Sequence, residues 1–186
     1  VSEVSRIARQ YNIPVHTDAA QAVGKLPVDV DGQGVDFLTI AGHKLYGPKG
    51  VGVLFMKRGR DLTPLIHGGG QEMGKRSGTE NTILAAGLGA ACRIARGRLK
   101  EDQAHMTTLR DRLQRLLFEG IDGLVLNGHP AERLPNTLNV SVPGIEGAKI
   151  LEGLPKIIAS TGAACHDRTV KLSHVRSAMG VPPQIG

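Results

Sequence analysis

Phe37-Leu38-Thr39-Ile40-Ala41-Gly42-His43-Lys44 is an apolar run of strand length that stops on polar groups, and Ile13-Pro14-Val15-His16-Thr17-Asp18 repeats the arrangement upstream. Short apolar runs bounded by turn residues read as buried strands, and in open α/β sheets chemistry collects at their carboxyl ends. Gly50 to Lys57 is a third such run, reached through the turn Gly47-Pro48-Lys49-Gly50. Asp18 and Lys44 are therefore expected at strand tips. A helical repeat of Val4, Ile7, Ala8 and Tyr11 precedes the first strand, which makes the predicted class α/β.

Downstream, Gly68-Gly69-Gly70 breaks the chain, and Ile83 to Ala95 is small and apolar enough to predict a buried helix, with Thr79 and Asn81 as caps. From about Arg96 the composition turns charged. Met106, Leu109, Leu113, Leu116 and Leu117 keep helical spacing there. Strands are predicted at Leu124–Leu126, Thr137–Val142 and Ile157–Ser160, helices at Glu146–Glu152 and Leu172–Met179, and a small-residue loop at Thr161–Cys165. The shift near Arg96 divides the chain into 1–97 and 98–186.

Composition narrows the function classes. Hydrophobic residues are 40% and charged residues 22%, the balance of a folded domain, and no run approaches the ~18 apolar residues of a membrane span. Aromatics are only 3%, which argues against a single-strand nucleic-acid platform built on stacked rings. The net charge is +6, and Arg93 to Arg115 holds seven Lys/Arg against Glu101, Asp102 and Asp111. A solvated face of an amphipathic helix accounts for that cluster better than nucleic-acid contact. Two cysteines make no disulfide framework, so a reducing cytoplasm is expected. The first residues show neither a charged nor an apolar leader pattern, and Val1 opens directly into helix, as the interior of a longer protein would.

Several residues invite a chemical reading. Lys44, flanked by Gly42 and Gly47 at a strand tip, is a candidate amine nucleophile of the kind that forms a Schiff base with a carbonyl. By spacing alone an ordinary surface lysine is the favoured reading, and its company is what changes that. Asp18, with Gln21 three residues on, suits an acid partner for a protonated pyridine nitrogen, or simply a helix cap. His16, Asp18 and His43 would be metal ligands only without the paired i, i+4 spacing of a helical zinc motif, so no metal is expected. Cys165, in Ser160-Thr161-Gly162-Ala163-Ala164-Cys165-His166, is a thiol in a loop of small residues beside a histidine that favours thiolate. Cys92, in the Ala-rich helix, reads instead as a small buried hydrophobe.

Together, His16-Thr17-Asp18-Ala19-Ala20-Gln21, Gly42-His43-Lys44-Leu45-Tyr46-Gly47-Pro48-Lys49-Gly50, Gly68-Gly69-Gly70-Gln71-Glu72 and Arg76-Ser77-Gly78-Thr79-Glu80-Asn81 resemble the NifS/IscS-type cysteine desulfurases and selenocysteine lyases. These are fold-type I, class V aminotransferase-like enzymes. The resemblance runs nearly the whole chain and implies that it covers about the later half of such an enzyme. Residues 1–97 then correspond to the later part of the large, mainly parallel cofactor-binding domain, and 98–186 to a connecting helix and an incomplete small α+β domain.

The resemblance implies that Lys44 carries pyridoxal 5'-phosphate as a Schiff base, Asp18 pairs with the pyridinium nitrogen, Gln21 bonds the phenolic oxygen, and His43 helps hold the phosphate. Thr79 reaches the phosphate of the partner subunit in a homodimer. Cys165 takes sulfur from L-cysteine as a persulfide and passes it to an acceptor or scaffold protein, with L-alanine released. The alternatives are selenocysteine lyase chemistry on L-selenocysteine and a noncatalytic basic binding module. Two positions depart from the family pattern: Ala41 stands where many members carry a phosphate-binding serine, and the Cys165 loop looks closer to the lyase-like branch.

Overall fold

The computed structural model describes residues 1–158 and 174–181. The chain divides into two compact units, Val1–Gln103 and Ala104–Gly186.

In the first unit, α1 (Ser2–Gln10) leads to a three-stranded sheet of β1 (His16–Asp18), β2 (Phe37–Ala41) and β3 (Gly52–Met56), in that order. β1 runs parallel to β2 with Asp18 opposite Thr39, and β3 is antiparallel with Ala41 opposite Gly52. The α/β class therefore holds, with a mixed sheet in the described region. Val35 and Leu38 are the most buried apolar side chains, and Ala19, Val15, Val23, Val28, Val30, Ile40 and Phe55 gather around them. α2 (Val30–Gln33) is a single turn: the Asp29 carboxylate accepts from the Asp31 N–H at 3.0 Å, and left-handed Gly34 (φ 67°) ends it.

Asp36, 7% exposed, ties the start of the sheet together. One carboxylate oxygen accepts the Val15 N–H at 2.9 Å and the other accepts Arg60 Nε at 2.8 Å. The Val15 N–H, opposed by burial and reinforced by Arg60 and Lys57, holds this carboxyl below its ordinary range. A depressed folded-state pKa stabilises the protein above the unfolded value, about 3.9, and that stability is lost as pH falls through the lower folded value. Asp36→Ala is expected to cost about 2–3 kcal/mol in neutral denaturant titrations, with the difference closing at acid pH.

α3 (Thr82–Gly120) is one helix of 39 residues, where the sequence predicts a buried helix and then a charged one. Asn81 Oδ1 accepts the Leu84 N–H at 3.0 Å, so Asn81 is the cap, whereas Thr79 lies exposed ahead of it. Gly97 does not interrupt the helix, because an interior glycine costs only about 1 kcal/mol and ion pairs such as Arg98–Asp102 and Arg115–Glu119 brace the exposed face. The expectation of a wholly buried early segment is corrected. Only Leu88 and Ala91 are buried along α3, while Ile83 is 81% exposed. Further along, Leu109, Leu113 and Leu116 are half exposed and Arg110 is turned inward, its side chain 10% exposed and donating to the Leu134 carbonyl at 3.0 Å.

In the second unit, β4 (Val125–Leu126) pairs antiparallel with β5 (Val140–Ser141), and α4 (Gly147–Glu152) and α5 (His174–Ala178) fall within the predicted helices. Ile157 and Ile158 are not in a strand, contrary to expectation, and the rest of that segment lies outside the described residues. No helix among the described residues is long and apolar enough to cross a membrane.

Candidate active site

Because β1 and β2 are parallel, both strands deliver their carboxyl ends to the same sheet edge. Asp18 closes β1, and Gly42–Leu45 follows β2 as a single 3₁₀ turn that carries His43 and Lys44. The turn packs downward through Leu45, which is buried with Leu88 and Ala91 of α3 against Val23, Ile40 and Val51. Its two glycines permit the tight path. A Cβ on Gly42 would come within 2.7 Å of the Val51 carbonyl oxygen, and one on Gly47 within 2.9 Å of the Gly42 carbonyl oxygen. Left-handed Tyr46 (φ 62°), fully exposed, closes the turn with its N–H on the Gly42 carbonyl.

With the backbone anchored below, Asp18, Gln21, His43 and Lys44 are all exposed at this edge. Asp18 Oδ1 accepts the Ala20 N–H at 2.8 Å, an Asx turn rather than the helix cap, and Oδ2 has no partner among the described residues. The Lys44 side chain is exposed despite its glycine neighbours. Gly42 and Gly47 serve the turn's own backbone and leave the side chain in the open. His16 is engaged elsewhere, with Nε2 2.6 Å from Thr39 Oγ1 across the β1–β2 pair.

Sequence reasoning missed Lys25. Its ammonium donates to the Gln21 carbonyl at 3.1 Å, one helical turn back, and its pKa is lowered by burial first and by the charge of Lys44 second. The i, i+4 spacing from Gln21 was the signal available for it.

The segment from Gly68 to Asn81 is held by hydrogen bonding within itself and by contacts to residues 61–67. Ser77 Oγ donates to the carbonyls of Ile66 and His67 at 3.2 and 3.1 Å, and the Gly78 N–H reaches Gln71 Oε1 at 3.1 Å. Lys75 pairs with Asp61 and donates to the Leu62 carbonyl, and Lys75 is the main cause of the lowered Asp61 pKa. Glu72 and Met73 are both left-handed, at φ 50° and 56°. Thr79 is exposed in this segment. Cys92 packs on the Leu45–Leu88–Ala91 cluster as a free thiol, as its apolar setting predicts. Cys165 lies outside the described residues.

A carboxylate and an amine delivered to one edge of an α/β sheet, on a glycine-bounded turn, define a class of lysine-bearing α/β proteins. The comparisons with known proteins narrow it. The class-V aminotransferase family model matches residues 1–181, and the chain belongs to that family. It is 44% identical to the cysteine desulfurase IscS of Dictyoglomus turgidum, covering 100% of this chain and 48% of that protein. To the cysteine desulfurase NifS of Azotobacter vinelandii it is 42% identical, over 98% of this chain and 46% of that one. Among solved structures, a NifS-like protein from Rickettsia africae superposes with a TM-score of 0.87 at 31% identity, over 99% of this chain and 49% of that chain. The chain thus spans about half the length of the curated relatives it matches.

Proposed function

We propose that this chain is the lysine-bearing half of a pyridoxal phosphate-dependent cysteine desulfurase, which takes sulfur from L-cysteine, releases L-alanine and supplies sulfur for Fe–S cluster or other cofactor assembly. The observation that carries the reading is the delivery of Asp18 and Lys44 to one exposed sheet edge, in a chain 44% identical to a cysteine desulfurase. The relatives reported above are named cysteine desulfurases, and these comparisons do not favour a selenocysteine lyase or a noncatalytic binding module.

The donor set suits the cofactor. Pyridoxal phosphate asks for a primary amine at its aldehyde, an anion at its ring nitrogen and polar donors for its oxygens. Lys44 answers the first and Asp18, with Oδ2 uncommitted, the second. Gln21 and His43, exposed at the same edge, answer the third. When bound, the group supplies an electron sink next to the α-carbon of an amino acid.

This chain's own residues do the rest. Lys44 Nζ holds the cofactor and moves the α-proton. The Asp18 carboxylate keeps a proton on the ring nitrogen. Cys165 Sγ, as thiolate, attacks the sulfur of the substrate. The carbon–sulfur bond breaks as the sulfur–sulfur bond forms, alanine keeps the electron pair of the broken bond, and Cys165 is left as a persulfide for an acceptor protein. A reducing compartment such as the cytoplasm keeps that thiol available. Thr79 would serve the partner subunit's phosphate in a homodimer. We assign 1–97 to the cofactor-binding domain and 98–186 to the small domain.

Asp18→Ala in the full-length protein tests the electrostatic part of this reading. The expected result is a drop of about 10²–10³ in kcat for alanine release, with the cofactor's visible absorbance retained and partial recovery in Asp18→Glu. An unchanged kcat removes Asp18 from the site.

A further inference from the structure

The sheet edge opposite Lys44 carries a second constellation. Val15 and Asp36 precede the parallel strands β1 and β2, and Lys57 follows antiparallel β3, so the three meet at the edge where β1 and β2 begin. A cavity of about 80 Å³ opens there, lined by Ser5, Arg9, Asn12, Asp36, Lys57 and Arg60, among others. It has room for several waters or one five-atom oxyanion.

The charge of this cavity is unbalanced. Both oxygens of Asp36 are committed, to the Val15 N–H and to Arg60. Arg9 and Lys57 belong to no ion pair among the described residues. Arg9 stands one turn beyond Ser5 on the same face of α1, and a Cβ on Gly34 would come within 2.6 Å of its Nη2. The guanidinium thus lies directly against the Gly34 backbone, on the cavity wall.

Ser5 supplies the independent observation. It is 3% exposed, lines the cavity, and its Oγ has no hydrogen-bond partner among the described residues. The amphipathic pattern of α1 predicts an inward face of Val4 and Ile7, yet both are exposed and the one buried residue is this serine. A buried hydroxyl without a partner is costly, and alanine would fill the position without that cost. A hydroxyl donor beside uncompensated cations is the donor set of an oxyanion site.

We propose that this cavity binds a tetrahedral inorganic oxyanion, phosphate or sulfate, with Ser5 Oγ as a donor and Arg9, Lys57 and the free N–H groups of Arg60 as its charge partners. The site is separate from the Asp18–Lys44 edge and independent of the catalytic reading.

The test uses the full-length holoprotein, so that cofactor already occupies any phosphate subsite at the other edge. Sodium phosphate and sodium sulfate are titrated against sodium chloride at constant ionic strength, with Tm and calorimetric binding as readouts. A saturable Tm increase in at least one oxyanion arm is expected, and the tighter arm identifies the ligand. Ser5→Ala and Arg9→Gln should each weaken the apparent Kd about tenfold or more, with visible cofactor absorbance unchanged. Ser5→Ala should also raise Tm in chloride alone. Equal Tm curves in chloride and both oxyanions overturn the proposal, as does wild-type affinity in both variants, which would mean an adventitious ion only.

Discussion

Lys44→Ala, made in the full-length protein, is expected to abolish alanine release from L-cysteine, a loss of about 10⁴-fold or more, and to remove the visible absorbance of firmly held cofactor. The size of the effect follows from the two tasks proposed for one Nζ atom, holding the cofactor and moving the substrate's α-proton. The turn beneath should survive the change. Lys44 is exposed, and the turn is anchored by Leu45 against Leu88 and Ala91 and by the close backbone approaches of Gly42 and Gly47. Thermal unfolding of the variant without cofactor should therefore match that of the wild type without cofactor. Lys44→Arg separates charge from chemistry: it keeps the cation, but a guanidinium stays protonated at any working pH and cannot serve as the amine. It should fail as fully as alanine. Retained cofactor absorbance and activity in either variant removes Lys44 from the centre of the reading.

Cys165→Ala is expected to leave cofactor binding intact while stopping transfer of sulfur from L-cysteine, by about 10³-fold or more. The contrast with Lys44 is the informative part, since one variant loses the cofactor and the other keeps it. Labelled sulfur from cysteine should become bound to the wild-type protein and not to this variant. Selenium leaves carbon more readily than sulfur, so activity on L-selenocysteine should suffer less. Full desulfuration of cysteine by the variant would exclude Cys165 as the sulfur acceptor. Cys92 is the internal control, because it packs against the Leu45 cluster in α3 and its replacement by alanine should spare the label.

The Asp18–Lys44 edge was legible from the linear order of residues because short apolar runs ending on polar groups leave few ways to build a sheet, and parallel pairing sends both tips one way. Asn81 as the cap of α3 was legible for a similarly local reason, its side chain bonding only three residues on. What escaped was set by tertiary packing. The Lys25 ammonium turns back onto the Gln21 carbonyl in the segment after β1, where Ala19 is buried. Ser5 was hidden by the apolar spacing of Val4, Ile7 and Tyr11, which pointed the helix the wrong way. The continuity of α3 was masked by the change of composition near Arg96 and by Gly97, neither of which costs enough to break a long helix. Cys165 was legible as a reactive thiol from its small-residue loop and the adjacent His166, whereas its role as sulfur acceptor came only through resemblance.

The described residues include four non-glycine residues in left-handed conformation, and three of them, Tyr46, Glu72 and Met73, fall in the motif segments around Lys44 and before Thr79. Each conformer costs roughly 1–2 kcal/mol in an L-residue, so these segments keep their shape against the preference of their own backbone. A mutational map of this protein would therefore mix two kinds of intolerance. At Asp18 or Lys44, rejection of substitutions would speak of chemistry. At Tyr46, Glu72 and Met73, selective rejection of β-branched residues with tolerance of glycine and asparagine would speak of handedness, and such positions would pass for ligand contacts in any survey that scored sensitivity alone.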